Sequence, residues 1–471
     1  MSANLVFIPF PIASHLATAV QAAKLLTDRD ERLSITVIVM EPPMDTKTTS
    51  HIENTKNSRI NFVELPFDES NSLEAMKSRG AFLFWVIDSR KGAVRDTVAR
   101  IMDGSKSTRI AGLVVDMFCT AMIDVAKELG VPSYVYFTCS AMNLRLMLHL
   151  QTLKDDLNHG LAEYEDSDFE TTVPGYINPV PARVWPRPVF EKDIDFLGRM
   201  RKFRETNGIM VNTFLEFEHE VIKSICDGEK IPPVYPIGPI LQDGQQLSDQ
   251  NEKRNQDIVE WLNDQPDSSV VFLCFGTRGY FSENQVKEIA VGLERSGKRF
   301  LWSLRKPPPN EKLEYAGEYE NPGEVLPEGF LERTVGFGKV IGWAPQMVVL
   351  AHRAVGGFVS HCGWNSILES IWYGVPIATW PLVAEQQTNA FELVKEFGVA
   401  IEIKMDYKRD SNVIVSAEMI GNAIEQLMDP ENGIRGKVSA LKEDSRRAVM
   451  ERGSSYHFVK CFIDDVMNNI C

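Results

Sequence analysis

Residues Trp343–Gln387 read WAPQMVVLAHRAVGGFVSHCGWNSILESIWYGVPIATWPLVAEQQ and give the clearest indication of the fold class. A short apolar run predicts a strand that ends at His361, Gly363 permits a tight turn, and residues 364–366 open a helix. A strand, a turn and a helix in this order are typical of an open parallel α/β sheet. Ligands bind such sheets at the carboxyl ends of the strands.

The first turn of this helix is a predicted phosphate site. Asn365 and Ser366 stand at or near the helix start, where free backbone N–H groups and the helix dipole attract an anion. Glu369 follows about one turn later on the same face, where a carboxylate accepts hydrogen bonds from ribose hydroxyls. Singly, such residues are more often a helix cap or a surface ion. Together they predict a nucleotide site, because several polar and aromatic residues crowd the predicted strand ends: His361, Trp364, Asn365, Ser366, Glu369, Glu385 and Gln386.

Short apolar runs alternate with helical-period segments over both halves of the chain, which predicts an α/β fold with parallel sheets covered by helices. The predicted strands of the first half are Leu5–Pro9, Ile35–Val39, Ile60–Leu65, Ala111–Val115, Ser133–Phe137 and Ile209–Asn212. Those of the second half are Val270–Phe275, Phe300–Leu304, Val340–Trp343, Gly357–Ser360, Ile377–Trp380 and Ala400–Ile403. Helices are predicted around residues 16–28, 118–129, 140–154, 190–205, 284–296 and 365–373.

The domain boundary is predicted from a change in composition. Residues 241–256 lose the apolar period and become rich in Gln, Asn, Asp and Lys, which is typical of an exposed linker. We therefore expect a doubly wound domain over residues 1–240 and a second one over residues 257–445. Residues 446–471 are expected to form a C-terminal helix that packs back on the first domain.

Composition and charge exclude several function classes. The 471 residues are 44% hydrophobic and carry a net charge of −15 with no run of Lys and Arg, which disfavours nucleic acid and anionic membranes as partners. Pro9 and Pro11 break the apolar N-terminus, so neither a signal peptide nor a membrane anchor is expected. The seven cysteines form no CxxC pair, which indicates reduced thiols and a cytoplasmic protein. A monomer is the default expectation.

A second group of candidate residues lies in the first half. His15 follows the first predicted strand in FIPFPIASHLATAV, and Asp116 follows the strand Ala111–Val115. Histidine titrates near neutrality and accepts a proton from a hydroxyl, while a carboxylate on its other ring nitrogen fixes the tautomer and stabilises the imidazolium. A phenol or alcohol needs such a base because its pKa is about 10 or more. Alone, His15 is more often a cap or core histidine and Asp116 a helix N-cap.

Two stretches interrupt the alternation of strands and helices. Pro174–Phe190 mixes Pro with apolar and aromatic residues, which fits equally a lid over an apolar cleft and a packed surface loop. Pro307–Glu324 is strongly charged. We expect it to be a loop that only contacts water.

The sequence resembles the plant small-molecule glycosyltransferases that use UDP-sugars and carry the plant secondary-product glycosyltransferase box. The match covers the full box of 44 residues from Trp343 to Gln386, with its W-A-P-Q start, its H-C-G-W-N-S-x-x-E centre and its G-V-P…W-P…E-Q end. Outside the box it extends to the N-terminal strand-turn-His, the VVDMF strand end, the Ile237–Pro239 segment and the VFLCFGTRG strand-loop. The resemblance implies the GT-B-like fold, in which two Rossmann-like domains face a cleft. It assigns the acceptor to the first domain and the UDP-sugar to the second.

The resemblance also implies a role for each matching residue of the nucleotide site. Trp343 stacks on the uracil, and the Ala344 backbone pairs with the edge of the base. Gln346 and Glu369 hold the ribose. The residues implied to bind the diphosphate are His361, Asn365, Ser366 and Thr277.

The sugar and the acceptor are assigned in the same way. The residues implied to lie against the sugar are Trp364, Glu385, Gln386 and Thr138, the last also near the leaving phosphate. Gln386 at the final box position implies a preference for glucose. His15 matches the general base and Asp116 the carboxylate that orients it. No DxD-like cluster stands out in the sequence, so UDP-glucose is expected as co-substrate without a metal or other cofactor.

Two departures from the family pattern stand near these residues. The family has Gly before the catalytic His, whereas this chain has Ser14 in Pro11–Ile12–Ala13–Ser14–His15, which bears on the turn and on the reach of the imidazole. Thr277 and Arg278 replace the commoner F-G-S pattern with F-G-T-R. Thr277 keeps the hydroxyl, and Arg278 either touches phosphate or faces water.

We therefore predict an inverting glycosyltransferase that moves glucose from UDP-glucose to a hydroxyl of a small apolar acceptor such as a flavonoid, a phenolic or a terpenoid. The alternatives are transfer of another sugar, transfer to a C, N or S atom, and a non-catalytic UDP-sugar-binding protein. A nicotinamide-dependent oxidoreductase is disfavoured because the first strand is followed by PFPIASH and not by GxGxxG.

Overall fold

The computed structural model of the chain describes residues 2–40, 57–66, 79–104, 108–157, 160–192, 194–228, 231–241, 249–309 and 315–470. Within them the strands form two parallel sheets of seven and six strands, and one small antiparallel pair. Helices connect the parallel strands, as parallel pairing requires. The predicted α/β class with two doubly wound sheets is confirmed.

The first sheet has the strand order β3-β2-β1-β4-β5-β8-β9. The strands of this half are β1 (Ser2–Ile8), β2 (Leu33–Met40), β3 (Ile60–Leu65), β4 (Thr108–Asp116), β5 (Ser133–Phe137), β6 (Glu170–Thr171), β7 (Val180–Pro181), β8 (Gly208–Val211) and β9 (Val234–Pro236). The short strands β6 and β7 form the antiparallel pair. The order reverses between β1 and β4, which places the carboxyl ends of these two strands side by side at the switch point.

The second sheet has the order β12-β11-β10-β13-β14-β15 and reverses between β10 and β13. Its strands are β10 (Val270–Cys274), β11 (Arg299–Ser303), β12 (Gly338–Ile341), β13 (Val355–Ser360), β14 (Ile377–Thr379) and β15 (Ala400–Glu402). Every residue of β10 and β13 is buried. Strands buried on both faces read as continuous apolar runs, which is why their positions are visible in the sequence.

Helices cover both sheets. The first half has α1 (Ala13–Arg29), α2 (Arg79–Ser89), α3 (Lys91–Gly104), α4 (Ala121–Glu128), α5 (Ala141–Leu157), α6 (Phe196–Arg201) and α7 (Leu215–Asp227). The second half has α8 (Asp249–Asn263), α9 (Glu283–Ser296), α10 (Phe330–Arg333), α11 (Gln346–Leu350), α12 (Trp364–Tyr373), α13 (Gln386–Phe391), α14 (Ala417–Met428), α15 (Ile434–Val449) and α16 (Ser454–Asn468). A π-helical turn (Glu392–Glu396) continues α13. None of the helices in the described ranges is long and apolar enough to cross a membrane.

The last helix, α16, lies against the first sheet. Its apolar residues Val459 and Phe462 are buried with residues of that sheet. The Phe462 ring meets the rings of Tyr134 and Tyr235 edge-on, with centroids 5.2 and 5.4 Å apart. The chain therefore returns from the second sheet to the first and ties the two halves together.

The structure differs from the predicted elements at a few places. The strand Val234–Pro236 and the β6–β7 pair were not predicted. Helix α8 begins at Asp249, inside the predicted linker, while residues 242–248 lie outside the described residues. The predicted helix 190–205 begins only at Phe196, where the Asp195 side chain accepts a hydrogen bond from the Gly198 N–H at 3.2 Å. The domain bounds themselves stay a prediction.

Candidate active site

A cavity of about 390 Å³ lies between the two sheets, at the carboxyl ends of strands from both. Residues of both halves line it. The predicted site residues among them are His15, Thr138, Thr277, Trp343, Ala344, Gln346, His361, Trp364, Asn365, Ser366, Glu369 and Glu385. Residues that are far apart in sequence thus meet because both switch points face the same cavity.

His15 and Asp116 form a hydrogen-bonded pair at the first switch point. Nδ1 of His15 lies 2.6 Å from Oδ2 of Asp116. The Asp116 side chain is 2% exposed and that of His15 is 16% exposed. The other carboxylate oxygen of Asp116 accepts a hydrogen bond from the Phe118 N–H at 3.0 Å, which fixes its orientation. The pair leaves Nε2 of His15 as the ring nitrogen that faces away from the carboxylate.

Aromatic rings surround this imidazole. The centroids of Phe10 and Phe118 lie 5.3 and 5.6 Å from that of His15. Phe84 and Phe196 extend the group, with centroids 6.2 and 6.1 Å from Phe118. A cluster of four phenylalanine rings therefore lies beside the imidazole of His15.

The start of α12 is open to an anion. Gly363 precedes the helix without a side-chain hydrogen bond to its first N–H groups. The first N–H groups of a helix have no intrahelical partners, and residues 363–366 line the cavity. Burial lowers the pKa of His361 to about 4, and its Nδ1 has no hydrogen-bond partner. The His361 side chain is therefore an uncharged imidazole at pH 7 with one ring nitrogen free to hydrogen-bond.

Glycine is required next to this imidazole. A Cβ on Gly276 would lie 2.7 Å from Nε2 of His361, and one on Gly363 would lie 2.6 Å from the same atom. Gly276 also has φ +72°, which favours glycine. The two glycines thus let the loop after β10 and the turn after β13 approach His361 closely.

A hydrogen-bonded group stands at the predicted ribose position. The Gln346 amide donates to Oε2 of Glu369 at 2.7 Å and to Oγ of Ser366 at 2.8 Å. Burial raises the pKa of Glu369 to about 7. A carboxyl group with this pKa changes its protonation readily when a ligand donates hydrogen bonds to it.

Two predicted sugar contacts have other partners in the structure. The indole N–H of Trp364 donates to the Asn212 carbonyl at 2.7 Å, and the ring stacks on Phe217 with centroids 6.0 Å apart. Oε1 of Gln386 accepts the N–H groups of Leu382 and Val383 at 2.9 and 3.0 Å. Gln386 is not among the residues that line the cavity, whereas its neighbour Glu385 is.

Several lining residues were missed by the sequence analysis. Thr18 lies one turn after Ser14 on α1 and accepts a hydrogen bond from the Asn365 amide at 3.4 Å. Ser303 and Arg305 line the cavity from the carboxyl end of β11. The sequence did indicate these two positions, because Ser303 lies in the last residues of the predicted strand Phe300–Leu304 and Arg305 follows it, at the edge where ligands bind. Thr18 could have been found because it lies four residues after Ser14, on the same face of α1.

The two departures from the family pattern have distinct surroundings. Ser14 lines the cavity, and its carbonyl accepts the Thr18 hydroxyl at 2.8 Å. Arg278 lies outside the cavity lining, with its guanidinium 5.1 Å from the ring centre of Tyr315. This cation–π contact with Tyr315 is neither of the two surroundings that the sequence analysis considered for Arg278.

The Pro174–Phe190 loop ties the first half to α13 and its continuation. The Tyr176 hydroxyl donates to Glu392 at 3.0 Å. Glu396 accepts the Ile177 N–H at 2.7 Å. The Arg187 N–H donates to the carbonyl of Ala384, the residue before Glu385, at 3.3 Å. The loop is thus packed against the second half.

Two doubly wound parallel sheets with a cavity at both switch points are the architecture of the GT-B glycosyltransferases, which use nucleotide-sugars. A family model described as UDP-glucoronosyl and UDP-glucosyl transferase matches residues 13–444. The chain belongs to this family. The predicted enzyme class, a UDP-glucose-dependent glycosyltransferase, and the resemblance to the plant enzymes are confirmed.

Three relatives illustrate the similarity. A UDP-glucose flavonoid 3-O-glucosyltransferase 6 of Fragaria ananassa is 51% identical, over 99% of this chain and 99% of its own length. A solved transferase of Siraitia grosvenorii in complex with UDP has a TM-score of 0.89 at 47% identity, covering 99% of this chain and 100% of that one. UGT71G1 of Medicago truncatula, solved with UDP-glucose, has a TM-score of 0.88 at 42% identity, with 99% and 98% covered.

Proposed function

We propose that the enzyme transfers glucose in one displacement with inversion, with His15 as the base. The hydroxyl oxygen of the acceptor attacks the anomeric carbon, its proton moves to Nε2 of His15, and the bond to UDP breaks with the electron pair leaving on the phosphate. Asp116 stabilises the imidazolium that forms. The observation that carries this proposal is the 2.6 Å contact between Nδ1 of His15 and Asp116 at the edge of the nucleotide cavity.

The donor is proposed to lie along the second half of the cavity. Trp343 and the Ala344 backbone hold the uracil, and Gln346 and Glu369 hold the ribose. The unshielded start of α12 supports a place for the diphosphate, where the helix dipole stabilises the charge that develops on the leaving UDP. The residues proposed around the diphosphate are Thr277, His361, Asn365 and Ser366.

The sugar is proposed to lie between Thr138 and Glu385, both of which line the cavity. Trp364 contributes through its backbone, since its indole N–H is bonded to Asn212. The Nε2 amide of Gln386 is proposed to donate to the glucose hydroxyls, because its Oε1 accepts two backbone N–H groups. Those two bonds fix the orientation of the Gln386 amide.

The acceptor is proposed to be a small apolar molecule with a hydroxyl group, of the flavonoid, phenolic or terpenoid kind. The aromatic group around His15 supports this class, since Phe10, Phe84, Phe118 and Phe196 place flat apolar surface beside the proposed base. The relatives support it as well, because their names include flavonoid and anthocyanidin 3-O-glucosyltransferases.

Product formation tests this function directly. The purified protein is given UDP-glucose, UDP-galactose, UDP-glucuronate or UDP-xylose with a panel of phenolic and terpenoid alcohols, and product mass and anomeric configuration are measured. We expect a hexose adduct in the β configuration with UDP-glucose. An α-linked product would overturn the single displacement, and UDP-glucose binding without any product would favour the non-catalytic alternative.

The affinity for UDP-glucose is expected to rise with pH. Ribose hydroxyls donate to the ionised form of Glu369, whose pKa burial raises to about 7. Below that pKa the carboxyl must first lose a proton, so binding is weaker at low pH and levels off above it, by up to about tenfold between about pH 6 and pH 8. Calorimetry measures this with UDP-glucose, whose diphosphate does not titrate here. Glu369→Gln should bind more weakly at every pH and lose the slope, and a slope that persists in this variant would contradict the assignment.

The compartment, metal requirement and oligomeric state of the enzyme are proposals as well. Among the described residues the cysteines are unpaired, which supports a reducing compartment such as the cytoplasm, while Cys471 lies outside the described residues. The described residues hold no group of three or more His, Cys, Asp or Glu that would suit a metal ion. We propose that the enzyme works as a monomer, with UDP-glucose as co-substrate and no metal.

A further inference from the structure

The charged loop that was expected only to contact water makes specific contacts with the nucleotide site. Oε1 of Glu318 accepts the backbone N–H of Trp343 at 2.9 Å. The same carboxylate binds the Arg254 guanidinium through two hydrogen bonds of 3.0 and 2.8 Å. Glu318 therefore connects α8, its own loop and the first residue of the glycosyltransferase box.

Hydrogen bonds from Arg305 and Lys306 hold the backbone that precedes Glu318. Nε of the buried Arg305 donates to the Gly317 carbonyl at 2.9 Å, and Arg305 also bonds the Ala316 carbonyl. The backbones of Lys306 and Gly317 exchange two hydrogen bonds of 3.0 and 2.8 Å. Arg305 itself lines the cavity. The segment before Glu318 is thus held by the strand end that forms one wall of the nucleotide site.

The backbone before Trp343 fits closely against this ion pair. A Cβ on Gly342 would lie 2.5 Å from Nη2 of Arg254 and 2.5 Å from the carboxyl carbon of Glu318. The Gly342 carbonyl accepts the Ser303 hydroxyl at 2.5 Å from the other side. Gly342 therefore contacts both β11 and the Arg254–Glu318 ion pair. It directly precedes Trp343, the residue predicted to stack on the uracil.

We propose that Glu318 is a positioning residue for recognition of the uracil base. It holds the backbone of Trp343, and through it the ring that stacks on the base and the Ala344 groups that pair with its edge. Glu318 does not itself touch the donor. This inference rests on the proposed placement of the uracil on Trp343 and Ala344.

The Glu318 contact is expected to be stronger than an ordinary surface ion pair. The side chains of Arg254 and Glu318 are 35% and 39% exposed, and an isolated pair of this kind contributes little. Here the geometry is bidentate, and the carboxylate also accepts a backbone N–H, a charge-assisted bond that is stronger than a neutral one. Burial raises the pKa of Glu318, but Arg254 and the Trp343 N–H outweigh this and leave it below its usual value, so the group is charged at pH 7.

Glu318→Ala tests the proposal. We expect the KM for UDP-glucose and the Kd for UDP to rise about five- to tenfold, while kcat and the acceptor KM stay within about twofold of the wild-type values. The reason is that the lost hydrogen bond orients the Trp343 ring and the Ala344 backbone and not the reacting atoms. The preference for UDP over CDP, measured as the ratio of their Kd values, should fall several-fold. Glu318→Gln keeps a neutral acceptor for the Trp343 N–H but loses the charge, so it should recover part of the affinity and lie between Glu318→Ala and the wild-type protein.

Glu320→Ala is the matched control, since Glu320 is an exposed glutamate of the same loop. It should leave all of these constants unchanged. An unchanged Kd for UDP in Glu318→Ala, or an unchanged ratio of the UDP and CDP affinities, would overturn the proposal. If the wild-type protein forms no product, the proposed function fails, while the UDP and CDP titrations still decide the role of Glu318.

Discussion

His15→Ala is expected to lower kcat by about 10²–10⁴-fold while the Kd for UDP-glucose stays within about threefold of the wild-type value. The reason is the proposed role of the imidazole as the base, which lines the cavity and whose Nδ1 is bonded to Asp116 at 2.6 Å. The groups proposed to bind the donor lie instead in the second half, at the start of α12 and in the Gln346–Glu369 pair. Steady-state kinetics with a phenolic acceptor gives kcat, and calorimetry gives the Kd.

The control for this substitution is His457→Ala, which removes an exposed histidine on α16. It should leave kcat unchanged. A His15→Ala enzyme that keeps more than about a tenth of the wild-type kcat would show that the acceptor loses its proton to another group. A loss of UDP-glucose binding in the variant would instead place His15 in the donor site.

The positions of the buried strands could be predicted from the sequence, with bounds that differ from the observed ones by up to about three residues. Ser133–Phe137 has the predicted bounds because a short, fully buried apolar run is typical of a strand inside a parallel sheet. Ile60–Leu65 has the predicted bounds as well, although it is the edge strand and only its two end residues are buried. Val234–Pro236 was missed because it has three residues at the sheet edge and follows two prolines. Proline cannot donate to a sheet ladder, so a proline-rich run argues against a strand everywhere except at such an edge.

Those residues of the candidate site that stand next to a predicted strand or helix start could be predicted from the local sequence. His15 and Asp116 were expected to form a pair because each follows a predicted strand and because the resemblance to the plant enzymes matches them to the base and its carboxylate. The structure adds the reason that they meet, since β1 and β4 are neighbours in the first sheet. The contacts between Trp364 and Asn212 and between Glu318 and Trp343 could not be predicted, since they join separate segments through backbone groups. A backbone carbonyl or N–H looks the same at every position of a sequence, so only the folded chain shows which side chain it meets.

The second large effect is expected from Asp116→Asn. In the wild-type protein the carboxylate accepts the proton of His15 Nδ1, which leaves Nε2 free to take a proton from the acceptor. It also accepts the Phe118 N–H at 3.0 Å, and an asparagine oxygen can keep this bond. The asparagine NH2 group then faces Nδ1 and turns it into an acceptor. The ring proton moves to Nε2, which is the atom that must be unprotonated for the reaction.

We therefore expect Asp116→Asn to lower kcat by about 10²–10⁴-fold with little change in fold or in UDP-glucose affinity, because the side-chain volume and the Phe118 bond are preserved. Nitrogen NMR of labelled histidine should show His15 protonated at Nδ1 in the wild-type protein and at Nε2 in the variant. Asp124→Asn is the control, since Asp124 pairs with Lys91 and Lys202 away from the cavity. If the variant shows the Nε2 tautomer and still turns over at near the wild-type rate, the proton does not pass through Nε2, and the proposed role of His15 is wrong. If the tautomer does not change but kcat falls, Asp116 acts through its charge on the imidazolium and not through the orientation of the ring.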